Sequence, residues 1–188
     1  MEALLVSTLV VALGEIGDKT QLLALLLAAR FRRPVPIIFG ILVATIANHA
    51  LAGLVGAWVR TMLSPEWLRW ILGLSFIAVA LWALKPDTLD EEEAGLTGRW
   101  GVFAITAIAF FLAEMGDKTQ IATVMLAAKF ESLIQVVVGT TLGMLIADVP
   151  AVFVGSLAAL KLPVTLIRRI AAGIFAVLGI ATLAGFSI

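Results

Sequence analysis

The sequence contains no cysteine, no tyrosine and a single histidine, His49. Without cysteine there is no disulfide, no thiolate metal site and no cysteine nucleophile. One histidine also excludes a multi-histidine zinc centre. Charge is scarce too: 14% of the 188 residues are Asp, Glu, Lys or Arg, where a soluble domain carries about a quarter. The formal net charge is +0, so no basic field invites a nucleic acid. What fills the chain instead is apolar residues, 62% of it, with a mean hydropathy of +1.11. So little polar surface cannot coat a soluble fold. The expected class is an all-α polytopic membrane protein, with lipid as its surroundings.

Met1-Glu2 opens the first apolar run without the Lys/Arg cluster of a signal peptide, and the run continues to Ala29. It reads as a retained transmembrane helix. A helix needs about 20 apolar residues to cross roughly 30 Å of hydrocarbon. Six stretches qualify: Ala3–Ala29, Ile37–Val59, Trp67–Leu84, Trp100–Ala128, Leu133–Leu157 and Val164–Ser187. Alternating segments of about 10 residues, the mark of a membrane β-barrel, are absent. Trp58, Trp67, Trp70, Trp82 and Trp100 lie near span ends, as interfacial anchors do. The breaks after spans one, three and five hold eight Lys/Arg and the opposite side three, counting Arg60, Arg69 and Lys129. The first side is therefore expected in the cytoplasm, with both termini outside. The predicted organisation is a three-helix repeat over 1–84, an acidic cytoplasmic linker over 85–99, and a second three-helix repeat over 100–188.

The two halves are related. Gly14-Glu15-Ile16-Gly17-Asp18-Lys19-Thr20-Gln21 returns 99 residues later as Ala113-Glu114-Met115-Gly116-Asp117-Lys118-Thr119-Gln120. The match runs on without a gap through Ala28-Ala29-Arg30-Phe31 and Ala127-Ala128-Lys129-Phe130, and through Gly40/Gly139 and Gly56/Gly155. An odd number of spans per half makes the second half enter from the opposite side, giving an inverted repeat about an axis in the membrane plane.

Within each motif Glu and Asp are three apart, so on one helix they share a face, and Lys four after Glu can pair with it. Thr20, Gln21, Thr119 and Gln120 add neutral oxygens. Spans one and four are also long, about 40 Å at 1.5 Å per residue, which tilt or a break at the motif would absorb. A charge at mid-bilayer costs about 2.5–3.5 kcal/mol, so the six charged groups must face one another or water. Four carboxylates against Lys19 and Lys118 leave two surplus negative charges. Two protons or one divalent cation cancel that surplus, which is the balance of a divalent cation/proton exchanger. Carboxylate, hydroxyl and amide oxygens are hard ligands that suit Mn²⁺, Ca²⁺ and Mg²⁺. A self-neutralising helix glue is the rival explanation of the motif.

Outside the motif, Asn48-His49 in span two and Asp148 in span five sit near equivalent depths, with Asn48 set against Asp148 at an offset of 100. Asp148 is a candidate metal ligand or proton carrier. His49 reads as a helix-to-helix hydrogen-bonding residue or a proton relay.

Paired E-x-G-D-K-T motifs, one in each half of a small six-helix chain with an acidic central loop, resemble the manganese/calcium cation exchangers of the Golgi and chloroplast and the related bacterial manganese exporters. The resemblance covers essentially the whole chain. It implies that Glu15, Asp18, Glu114 and Asp117 bind a transported Mn²⁺ or Ca²⁺, with Thr20, Gln21, Thr119 and Gln120 lining the site. It further implies antiport against H⁺, no catalytic residue, no resident cofactor and a place in the cell membrane, the inner membrane of a bacterium. Asp148 departs from the family pattern, in which Asn precedes Val-Pro, and an added carboxylate bears on the proton stoichiometry. The oligomeric state stays open. Two other functions fit less of the motif: export of small organic cations or amino acids, for which Phe110-Phe111 is the nearby aromatic pair, and an intramembrane aspartyl protease, whose Tyr-Asp partner motif is missing.

Overall fold

The structure is a computed structural model that describes residues 1–85, 101–154 and 164–185. The acidic linker from residue 86 onward, Trp100, Gly155 and Lys161 lie outside the described residues. Eight helices make up the described chain: α1 Glu2–Glu15, α2 Lys19–Phe31, α3 Pro34–Met62, α4 Pro65–Ala83, α5 Val102–Glu114, α6 Lys118–Lys129, α7 Leu133–Val154 and α8 Val164–Leu183. There is no strand among them. Pro34 and Pro65 occupy the first position of α3 and α4, where the missing N–H has no helical partner to lose. Three helices, α3, α4 and α7, are individually long and apolar enough to cross a membrane. The expected first and fourth spans are each two helices, α1–α2 and α5–α6, broken at the repeated motif.

Unlike a soluble protein, the bundle exposes many large apolar side chains and buries a set of charged and polar ones. Leu9, Phe39, Leu81 and Ile134 stand exposed, whereas Glu15, Glu114, Asp148 and His49 are fully buried. That distribution suits lipid, which accepts apolar side chains as readily as the core does. One apolar core gathers around Phe76 of α4 and Phe175 of α8, whose rings stack at 6.4 Å. A second lies among Leu23 and Leu27 of α2, Ile37 and Ile41 of α3, and Phe110 of α5. Phe110 is thus core, not one wall of an aromatic cage. Trp58 and Trp67 are largely exposed, as anchors at span ends would be.

Close approach through small residues sets the helix order, as expected where lipid supplies no hydrophobic drive between helices. A Cβ added at Gly40 of α3 would meet Thr106 Cβ at 2.7 Å and the Phe103 carbonyl oxygen at 2.9 Å. One added at Gly139 of α7 would meet the Leu4 carbonyl oxygen at 2.6 Å and Ser7 Cβ at 2.9 Å. Each member of the first contact lies 99 residues from its counterpart in the second. Further along, Gly56 of α3 packs on Val124 and Ala127, and Gly143 of α7 packs on Thr8, Val11 and Ala12. Hence α3 runs alongside α5–α6, and α7 alongside α1, in the same direction. Between themselves α3 and α7 run in opposite directions: Gly53 meets Leu133 and Val137, while Arg33 and Pro34 share a cavity with Val152 and Phe153.

Candidate cation site

The motif ends one helix and starts the next. Glu15 is the last residue of α1, and Ile16 (φ −63°, ψ 115°) and Gly17 (φ 82°) form a type II turn closed by the Asp18 N–H donating to the Glu15 carbonyl at 3.0 Å. Met115 (φ −63°, ψ 121°), Gly116 (φ 74°) and a 3.1 Å bond from Asp117 N–H to the Glu114 carbonyl repeat it. Such a turn needs positive φ at its third residue, hence glycine. Asp18 then caps α2, accepting from Lys19 N–H at 2.8 Å. Asp117 caps α6, accepting from Thr119 N–H at 3.4 Å. Three residues after each cap a glutamine reaches back in the manner of a capping box: Gln21 Oε1 accepts from Gly17 N–H at 2.9 Å and Gln120 Oε1 from Gly116 N–H at 2.8 Å. The break expected as one option from helix length is therefore written into the motif itself. Glu and Asp do not share a helical face; a turn brings them together.

The threonines aim the glutamates. Thr20 Oγ1 donates to Glu15 Oε2, and Thr119 Oγ1 donates to Glu114 Oε1 at 2.8 Å and lies 3.2 Å from Asp117 Oδ2. Each glutamate thus uses one oxygen on its own motif. The other oxygens, Glu15 Oε1 and Glu114 Oε2, are buried and accept no hydrogen bond among the described residues.

The two motifs meet. One carboxylate oxygen each of Glu15, Glu114 and Asp117 lie within 4.8 Å of one another, all buried. Oxygens held at about 2.1–2.6 Å from one hard cation are at most about 5 Å apart, so the trio fits a single ion. Asp18 Oδ1 lies 2.7 Å from Lys118 Nζ, both side chains almost wholly buried. The sequence suggests Glu–Lys pairs within each motif; this ion pair instead runs from one motif to the other. Asp148 is fully buried, neither of its oxygens accepts a hydrogen bond among the described residues, and its charge acts on both Glu15 and Glu114. Carboxylates packed this closely away from water need a cation or protons to offset them.

Both glutamines serve the scaffold. Gln21 Nε2 donates to the Ala147 carbonyl at 3.0 Å, and Gln120 Nε2 to Asn48 Oδ1 at 3.4 Å. Asn48 Nδ2 in turn donates to the Phe111 carbonyl at 3.0 Å, a group left without a helical donor at the end of α5. These bonds set Asn48 against Ala147, and so His49 against Asp148, one residue from the pairing at an offset of 100. The gap-free offset of 99 carried that register in the sequence.

Broken helices that bring buried carboxylates from two related halves to one point, inside a lipid-compatible bundle, define a membrane transporter of small cations, not an enzyme. The family described as divalent cation/proton antiporter GDT1 matches residues 3–91 and 102–186. The chain belongs to that family. It is 54% identical over 183 residues to a Vibrio cholerae protein named "Putative manganese exporter", covering 97% of this chain and 90% of that one. A GDT1-like protein of Synechocystis, sll0615, is 31% identical over 90% of this chain and 92% of its own length. GDT1-like protein 5 of Arabidopsis thaliana is 26% identical, covering 91% and 90%. No solved structure matches the chain.

Proposed function

We propose that this protein carries Mn²⁺ out of the cell across the cell membrane, in exchange for protons, through a site built from Glu15, Glu114 and Asp117. The observation that carries the reading is the buried trio of oxygens within 4.8 Å, contributed by motifs 99 residues apart. Its oxygen donors suit a hard cation such as Mn²⁺, and their spacing matches the coordination sphere of one ion. Ca²⁺ has the same donor preference and is the second cargo to test. Asp18 and Lys118 form an ion pair beside the trio, so part of the site's charge is offset within the protein and the rest by metal or protons.

The fold is read as six spans in two inverted three-helix repeats. In support, α1–α2 follows α7 and α5–α6 follows α3, while α3 and α7 oppose each other, so the two motifs approach from opposite directions. Alternating access about such an axis would open the site to each side in turn. With the Lys/Arg bias, the face of Arg30, Arg32 and Arg33 is cytoplasmic and the termini are outside. The decisive measurement is Mn²⁺ and Ca²⁺ uptake into proteoliposomes under an imposed pH gradient. Uptake that scales with the gradient, with counter-movement of protons, is expected; uptake indifferent to the gradient would refute proton exchange.

A further inference from the structure

Beyond the trio and the Asp18–Lys118 ion pair, His49 and Asp148 are the buried ionisable groups among the described residues. Both are 0% exposed, and none of their four polar side-chain atoms has a hydrogen-bond partner among the described residues. Leaving such groups unsatisfied costs about 1–3 kcal/mol each, so a merely structural role explains neither. Their positions are equivalent. Gln21 bonds residue 147 and Gln120 bonds residue 48, and Asp148 and His49 are the next residues on α7 and α3. Asp148 therefore stands to the first motif as His49 stands to the second.

Equivalence in the repeat puts them on opposite sides of the shared site. The Asp148 end of α7 leads to Val152 and Phe153, which share a cavity with Arg32, Arg33 and Pro34. The His49 end of α3 leads to Gly53, against Leu133 and Val137, and on to Arg60, whose Nη1 donates to the Phe130 carbonyl at 3.0 Å. On the Arg32/Arg33 side of the trio stands a carboxylate whose two oxygens accept no hydrogen bond among the described residues. On the Arg60/Lys129 side stands an imidazole, a neutral or cationic group with no carboxylate oxygen to offer. Pro150, two residues after Asp148, also withholds the N–H that the Ile146 carbonyl would otherwise accept; α3 has Leu51 at the matching place.

We propose that Asp148 and His49 are unlike members of a mirror-related pair that gives the two faces of the carrier different affinities for the cation, Asp148 forming an entry ligand on the Arg32/Arg33 face and His49 an unretentive exit on the Arg60/Lys129 face. The inference rests on the exchange reading above. At equal pH on both sides, detailed balance fixes the same Vmax/KM in both directions. The difference therefore shows in KM itself, with Vmax moving in step. A low KM on one face lets the carrier load at scarce cytoplasmic cation, and a high KM on the other limits rebinding after release.

The test is Mn²⁺ uptake by the full chain in proteoliposomes whose orientation is sorted with a single introduced cysteine, the native chain having none. Wild type should half-saturate at lower Mn²⁺ from the Arg32/Arg33 face. Asp148→Asn should raise KM about tenfold on that face, the lower end of what a partner of a metal site contributes, and less than about twofold on the other by the same scale. His49→Asp, which makes the pair alike, should lower KM on the Arg60/Lys129 face and is read independently should Asp148→Asn not fold. Equal changes on both faces, or no change from His49→Asp, overturn the proposal while wild-type exchange stays intact. Wild-type protein that carries no divalent cation overturns both this proposal and the reading beneath it.

Discussion

The two motif turns share their backbone shape and differ in one capping bond, Asp18 accepting from Lys19 N–H and Asp117 from Thr119 N–H. They differ far more in what surrounds them. Both are type II turns with a positive-φ glycine, an aspartate cap and a glutamine reaching back. Around the first, Ile16 and Gly17 are half-buried, and Gln21 finishes on a backbone carbonyl. Around the second, Met115 and Gly116 are exposed, and Gln120 finishes on Asn48, which ties down the end of α5. The lysines differ as well: Lys118 is buried on Asp18, whereas Lys19 is half-buried. A nearly identical run of residues thus dictates a turn, while the helix facing it decides which partners its glutamine finds. The turn is local chemistry; the asymmetry comes from α3 and α7.

The lysines should expose that asymmetry most strongly. Lys118→Met strips a buried carboxylate of its partner, a change that costs about 3–5 kcal/mol when a buried pair is broken. A fall in thermal midpoint well beyond that of Lys19→Met is expected in detergent-solubilised protein. Adding Asp18→Asn to Lys118→Met should restore part of it, because the stranded charge is then gone. Equal falls for both lysines would make the two motifs equivalent after all.

The glutamates should behave in the opposite way, as a matched pair. If one ion sits on both motifs, Glu15→Gln and Glu114→Gln should each reduce Mn²⁺ transport by at least about 100-fold, the upper end of the loss from an outer-shell partner. Their double variant should then be scarcely worse than either. Independent, multiplying losses would point to two separate sites.

Much of this was legible in the sequence, and the reason differs from residue to residue. The repeat, the helical class and the importance of Glu15, Asp18, Glu114 and Asp117 follow from a charged octapeptide appearing twice in apolar surroundings. Spacing alone did not reveal the Lys118–Asp18 pair between the motifs. Three and four residues suggest a shared helical face, but turns at Gly17 and Gly116 break the helix, and Lys118 reaches Asp18 in the other half. A contact between halves has no local signature. Gln21 and Gln120 are expected from residue type to line the site, and only geometry shows each side-chain oxygen also accepting a turn N–H.

The turn glycine is testable without disturbing the packing. A Cβ at Gly116 would meet nothing within 4 Å, so Gly116→Ala imposes only the left-handed backbone at φ +74°. That conformation costs an L-residue about 1–2 kcal/mol, read as a fall in thermal midpoint and a smaller loss of transport than either glutamate variant gives. Gly116→Asn should be milder, since asparagine tolerates this region. Equal penalties for Ala and Asn would mean that something other than backbone conformation selects glycine here.

The smallest effect tests the source of the asymmetry directly. Asn48 makes two bonds that its counterpart Ala147 cannot make with a side chain, accepting from Gln120 and donating to the Phe111 carbonyl. Hydrogen bonds between membrane helices average about 0.6 kcal/mol in double-mutant cycles, so Asn48→Ala should lower stability by about 1 kcal/mol on that scale. The coupling is more telling than the single loss. Combined with Gln120→Ala, Asn48→Ala should show a positive coupling, because the two side chains share a bond. Combined with Gln21→Ala, whose amide is held by Ala147 on the far helix, it should be additive, as separated sites are. Thermal unfolding of the single and double variants in one detergent measures both cycles. If Asn48 couples to Gln21 as strongly as to Gln120, the two turns belong to a single network, and the difference between them does not arise from the residue facing each glutamine.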